Sequence, residues 1–134
     1  MKIAILGAAG VRTPQLVRRL LRDAERVGLT ELALMDIAGD KLALIKTVID
    51  EIAPQPEGVA LTTTTDVRVA CAGADFIIFT MRVGDIAARI IDERIPLRYN
   101  VLGQETTGPG GFAMALRTIP VVLDYVDVIR EVAP

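Results

Sequence analysis

The residues Gly7-Ala8-Ala9-Gly10-Val11-Arg12-Thr13 follow directly on the apolar run Lys2–Leu6 and lead into a helical pattern. A strand that turns tightly into a helix at such a loop aims backbone N–H groups outward at the positive end of the helix. That arrangement receives a pyrophosphate. Asp36 ends the next apolar run, Glu31–Met35. A carboxylate at that point accepts hydrogen bonds from an adenosine ribose and repels a 2′-phosphate, so the pair of features points to NAD rather than NADP. Short Gly/Ala turns also open helices that bind nothing, and a plain βαβ turn stands as the alternative.

Three further segments are odd for a plain nucleotide-binding strand-and-helix domain. They are Met81-Arg82-Val83-Gly84, Arg89–Tyr99 and Gly103-Gln104-Glu105-Thr106-Thr107-Gly108-Pro109-Gly110-Gly111. The first follows an apolar run, at the carboxyl edge where parallel sheets bind ligands. Each has an ordinary reading as well. Arg89 and Glu93 stand at helical i,i+4 spacing and would form a solvated pair. Arg82 would pair with Asp85, and Glu105 would brace its loop.

The elements that must position these residues follow from periodicity. Lys2–Leu6, Glu31–Met35, Val59–Thr64 and Asp75–Thr80 read as four strands. Thr13-Pro14 opens the first helix, with Thr13 as N-cap and Leu16, Val17, Leu20, Leu21 and Ala24 facing inward. Asp40 caps the second helix, with Leu44, Ile45, Val48, Ile49 and Ile52 inward and Pro54 ending it. Asp66–Cys71 is a short helix, Ile86–Tyr99 a helix interrupted at Pro96, and Gly103–Gly111 a loop. Phe112–Val132 is a long helix kinked near Pro120. Strands alternating with helices give an α/β, Rossmann-like, doubly wound parallel sheet with helices on both faces. Right-handed crossovers set its order as 3-2-1-4, short of a complete six-stranded sheet. All 134 residues are read as one NAD-binding domain.

Composition narrows the classes. The net charge of −2 gives no electrostatic case for nucleic acid, and no apolar run is long enough to span a membrane. Cys71 has no partner for an internal disulfide and lies on a short apolar helix, so it reads as core in a cytoplasmic protein. There is no histidine.

In this order, the three charged segments resemble the NAD- and metal-dependent glycoside hydrolases of family 4, in particular their 6-phospho-β-glucosidase branch. Thr13-Pro14 after the Gly-rich turn, Met35-Asp36-Ile37 and Ala115-Leu116-Arg117-Thr118-Ile119-Pro120 are similar to the same family. The resemblance spans essentially the whole chain. It implies that NAD removes hydride from C3 of a phosphorylated sugar. A tyrosine base then takes the C2 proton, the aglycone leaves by elimination, and a divalent metal, usually manganese, polarises the sugar oxygens. It places Gly7, Ala8, Ala9, Gly10, Val11, Arg12 and Thr13 on the pyrophosphate loop and Asp36 on the ribose. Arg82 and Val83 fall beside the nicotinamide end, and Arg89 on the arginine for the sugar phosphate. Glu105 falls on the glutamate that raises the basicity of the catalytic tyrosine.

The family's metal cysteine and histidine, its acid and its base tyrosine lie later in its sequences, and Tyr99 and Tyr125 do not match the base. The chain therefore reads as the first part of a longer architecture, without metal ligands or hydrolytic activity of its own. Ala9 stands where the family has glycine and Gly10 where it has serine. The Ala9 methyl is expected to crowd the pyrophosphate. With strand four left at an edge, a homo-oligomer is expected. A lactate/malate dehydrogenase-like oxidoreductase shares the same opening but needs a catalytic histidine. A non-catalytic nucleotide-binding module is the remaining alternative.

Overall fold

The computed structural model describes residues 1–133. Two compact units are present. One comprises Met1–Met81 with the end of the chain from Val128, and the other Arg82–Asp127.

In the first unit, β1 (Lys2–Leu6), β2 (Glu31–Met35), β3 (Ala60–Thr64) and β4 (Phe76–Phe79) form one parallel sheet in the order β3-β2-β1-β4. This is the expected order, and it has a simple cause. β1 and β2 are apolar on both faces and nearly wholly buried, so they take the centre. β3 alternates threonines with solvent and takes one edge. β4 pairs with β1 alone and takes the other, with Phe76 60% exposed.

Helices α1 (Thr13–Arg22), α2 (Ala24–Val27), α3 (Gly39–Ile52) and α4 (Val67–Cys71) follow the strands. α1 buries Val17 and Leu21 and packs Leu16 and Leu20 partly against the same core, with Ile5, Leu32 and Leu34. Cys71 is fully buried, and that burial pushes its thiol pKa up.

Three local expectations are corrected. Thr13 is the first helical residue rather than the cap. Arg12 is the N-cap without a side-chain bond, and the buried Thr13 donates its N–H to the Gly10 carbonyl at 3.0 Å. At α3 the cap position is Ala38, and Asp40 lies in the first turn. No side chain caps α3, and Asp36 Oδ1 accepts the N–H of Ala38 itself at 2.9 Å. The buried face of α3 is Leu42, Ile45, Ile49 and Ile52, whereas Leu44 is 66% exposed. A helix this rich in apolar residues admits two stripes, and packing against the sheet selects one. α2 was not anticipated; Gly28, left-handed at φ 66°, ends it.

The second unit contains α5 (Asp85–Leu97) and most of α6 (Gly108–Val132). α5 runs through Pro96 before ending, and α6 runs unbroken through Pro120. Gly108–Gly111, read as loop, form the first turn of α6. The glycines of this stretch serve close packing. A Cβ on Gly103 would overlap the Glu93 backbone carbonyl, and one on Gly110 the Gln104 carbonyl. The loop between the helices therefore lies directly on α5. The last turn of α6 belongs to the first unit. There the Gly73 N–H donates to the Val132 carbonyl at 2.9 Å and Arg68 pairs with Glu131 at 2.6 Å.

The α3 register is testable. Leu42→Ala, on the buried face of α3, should cost about 2–5 kcal/mol in urea unfolding, while Leu44→Ala should stay within about 0.5 kcal/mol. A large loss from Leu44→Ala would mean that the sequence-predicted stripe is the buried one.

Candidate functional site

In the first unit the Gly-rich loop turns on paired backbone. The N–H groups of Gly7 and Ala8 both donate to the Met35 carbonyl at 2.9 Å. The Ala9 N–H donates to Asp36 Oδ2 at 2.9 Å. Asp36 thus accepts one backbone bond on each oxygen, from the loop and from its own turn. This fixes the carboxylate beside the loop. Each oxygen keeps a lone pair for a further donor. The N–H groups of Gly10, Val11 and Arg12 have no acceptor among the described residues, and all three residues are exposed. They stand at the start of α1, where unpaired donors and the helix dipole favour an anion. The Ala9 side chain packs partly against the apolar core.

In the second unit, Arg82, Glu105, Arg89 and Glu93 form one chain of alternating charge. Arg82 pairs with Glu105. Arg89 Nη2 lies 3.0 Å from the other Glu105 oxygen, and Arg89 Nε donates to Glu93 Oε1 at 2.7 Å. The expected i,i+4 pair of Arg89 with Glu93 is present. Arg89 also reaches the Gly-rich motif. All four side chains are between 28% and 39% exposed, where neither full desolvation nor full screening applies. The hydrogen bond to Glu93, ahead of the charge of Glu105, raises the Arg89 pKa further. Of five N–H donors on a guanidinium, Arg89 commits one to each carboxylate. Three remain for a ligand.

Sequence reasoning missed Asp92 and the role of Arg117. Asp92 is 6% exposed. Arg117 grips it through two parallel bonds, Nη1 to Oδ1 at 3.0 Å and Nη2 to Oδ2 at 2.6 Å. The third bond runs from Arg117 Nε to the Val83 carbonyl at 2.8 Å. The available signal at Arg117 was a lone base between Leu116 and Ile119; Asp92 stands next to Glu93 and Arg94 and gave none. A charge on an apolar helix stretch needs a partner.

The profile of the family described as Family 4 glycosyl hydrolase matches residues 2–134. The chain belongs to that family. Among curated family 4 relatives, it is 37% identical over 131 residues to a 6-phospho-beta-glucosidase of Thermotoga maritima, covering 98% of this chain and 31% of that protein. It is 38% identical over 136 residues to 6-phospho-alpha-glucosidase 1 of Lacticaseibacillus paracasei, covering 98% of this chain and 30% of that one. A solved structure of the Thermotoga enzyme with manganese, NAD+ and glucose-6-phosphate superposes with a TM-score of 0.91 at 36% identity, over 98% of this chain and 33% of that one. A 6-phospho-alpha-glucosidase from gut microorganisms, in complex with NAD and glucose-6-phosphate, gives 0.88 at 37% identity, over 100% and 31%. The chain spans about a third of the length of these family 4 enzymes. The dehydrogenase-like alternative is set aside by family membership.

The Asp92–Arg117 pair also makes a pH prediction for this family 4 unit. The hydrogen bonds from Arg117 hold the Asp92 carboxyl below its ordinary value of 3.8. A carboxylate depressed in the folded state adds stability above its unfolded pKa and loses it as pH falls through the folded one. The amides of α5 should therefore exchange at constant protection down to about pH 4 and lose protection below it. Asp92→Asn should remove part of that acid dependence while lowering protection at neutral pH. An unchanged acid slope in Asp92→Asn would exclude Asp92 as its source.

Proposed function

We propose that this chain is the NAD-binding portion of a 6-phosphoglucosidase, of β type. The observation that carries the reading is the row of open N–H groups at Gly10, Val11 and Arg12 beside the fixed carboxylate of Asp36. A pyrophosphate fits against those donors. Gly7 and Ala8, whose own N–H groups are tied to Met35, and the buried Thr13 shape the turn, with Ala9 anchoring it to Asp36. The free lone pairs of Asp36 suit ribose hydroxyls, and its charge disfavours a 2′-phosphate. Bound NAD would supply the hydride acceptor, and later the donor, for the sugar.

The remaining assignments rest on the second unit. The three uncommitted donors of Arg89 suit a sugar phosphate. Glu105 is oriented by Arg82 and Arg89, as a carboxylate that tunes a neighbouring base must be. Arg82 and Val83 are read as lying beside the nicotinamide. Manganese does not fit this chain. The sequence has no histidine, and no group of three metal-ligating side chains occurs among the described residues. No step is assigned through it. The β reading follows the higher TM-score, 0.91 against 0.88. No helix among the described residues is long and apolar enough to cross a membrane, in keeping with a cytoplasmic enzyme. Phe76 and Phe79 on the edge strand β4 favour self-association.

Calorimetry checks the two halves separately. Asp36→Ala should weaken NAD binding about tenfold or more, as expected for lost charge-assisted bonds. Arg89→Ala should weaken glucose 6-phosphate by a similar factor, about tenfold, and leave NAD affinity unchanged. Equal NAD affinity in wild type and Asp36→Ala would remove the cofactor assignment.

A further inference from the structure

The turn that carries Arg82 in the second unit has two successive residues in left-handed backbone, Gly84 at φ 84° and Asp85 at φ 55°. Any side chain at such a φ is disfavoured, though aspartate tolerates it better than most. Such a turn persists where its surroundings fix it. Here Arg117 does so. Its Nε holds the Val83 carbonyl at 2.8 Å, and its side chain lies 3.1 Å from where a Gly84 Cβ would stand. The rest of its guanidinium is clamped by the buried Asp92. The residue before this pinned peptide, Arg82, ends on Glu105, and Arg89 ends on the same carboxylate.

We propose that the Asp92–Arg117 pair is a positioning device, a rigid fork that holds the Arg82–Asp85 turn and thereby aims Arg82 at Glu105. Stability alone is a poor reason for the pair, because apolar side chains often replace a buried ion pair without loss. Only a planar guanidinium offers a carboxylate two parallel bonds and still presents a third donor to a backbone carbonyl. Lysine has the charge but not the plane. The two members come from different helices, so the bond also fixes α5 against α6 at the level of the turn. Neither member needs to touch a ligand, since the effect passes through Arg82. The consequence for ligand binding rests on the function proposed above. The mechanical link from the fork to Arg82 does not.

The test uses the whole chain with ¹⁵N-labelled arginine. Relaxation of each Nε–H reports how firmly its guanidinium is held. Arg117→Lys keeps the charge opposite Asp92 and loses the fork, and Asp92→Asn keeps the shape and loses the charge. In either variant, Arg82 Nε–H should become markedly more mobile, while Arg89, held by Glu93 within its own helix, should change less. Because Arg82 is read as lying beside the nicotinamide, NAD affinity should fall by about tenfold, while glucose 6-phosphate affinity, set by Arg89, should change less. An Arg82 signal as ordered as in wild type, in either folded variant, overturns the proposal. Failure of both variants to fold also overturns it and assigns the pair to folding. If wild type takes up no glucose 6-phosphate, the proposed function fails, and the Arg82 comparison still decides the fork.

Discussion

The first unit depends on the burial of β1 between two parallel neighbours. Ala4, Ile5 and Leu6 have no exposed surface, and every residue from Ile3 to Leu6 is paired on both sides. A strand in that position has no water to satisfy its backbone. The chain leaving it must find acceptors at once. It does so on the carbonyl of Met35, which takes the N–H groups of both Gly7 and Ala8. The same bonds force the turn that leaves Gly10, Val11 and Arg12 with donors facing outward. The turn is thus a by-product of satisfying a buried strand end, with Asp36 completing the bonding of the loop.

The second unit solves a different problem. It has two helices, a glycine-rich loop and little apolar core, with Ile86, Ile90, Ile91, Phe112, Leu116 and Ile119 among its exposed side chains. Its order rests on close backbone approach at Gly103 and Gly110 and on ion pairs with well-defined geometry. The alternating chain from Arg82 to Glu93 places two cations around one carboxylate. It orients Glu105 without leaving a net charge on the four groups. Glu105 and Arg89, in the middle of the chain, each have two partners in reach.

Much of this was legible in the residues. Apolar runs alternating with helical patterns read as parallel strands, and right-handed crossovers gave the order β3-β2-β1-β4 that the sheet has. The Gly-rich motif at Gly103–Gly111 identified the family before any coordinate, because a string that dense in glycine reflects backbone constraints that few folds share. Less legible was α3, where Leu44 and Val48 looked as apolar as Leu42 and Ile49. Pro96 marks the end of α5 to within one residue, while α6 continues through Pro120 because a proline forfeits only one helical N–H.

The amino-acid order therefore determined what each segment must become locally: strand, helix start, tight turn, close-packed loop. These follow from side-chain polarity, covalent restriction and spacing within a few residues. Tertiary structure decided which charges meet. Asp92 and Arg117 are 25 positions apart and Arg82 and Glu105 are 23 apart. Electrostatic complementarity alone allows each base several acids. Only the stacking of the Gly103 loop on α5 and the antecedent turn at Gly84 bring one pairing within hydrogen-bond distance, and burial then makes that pairing obligatory, because an ion removed from water must keep its partner.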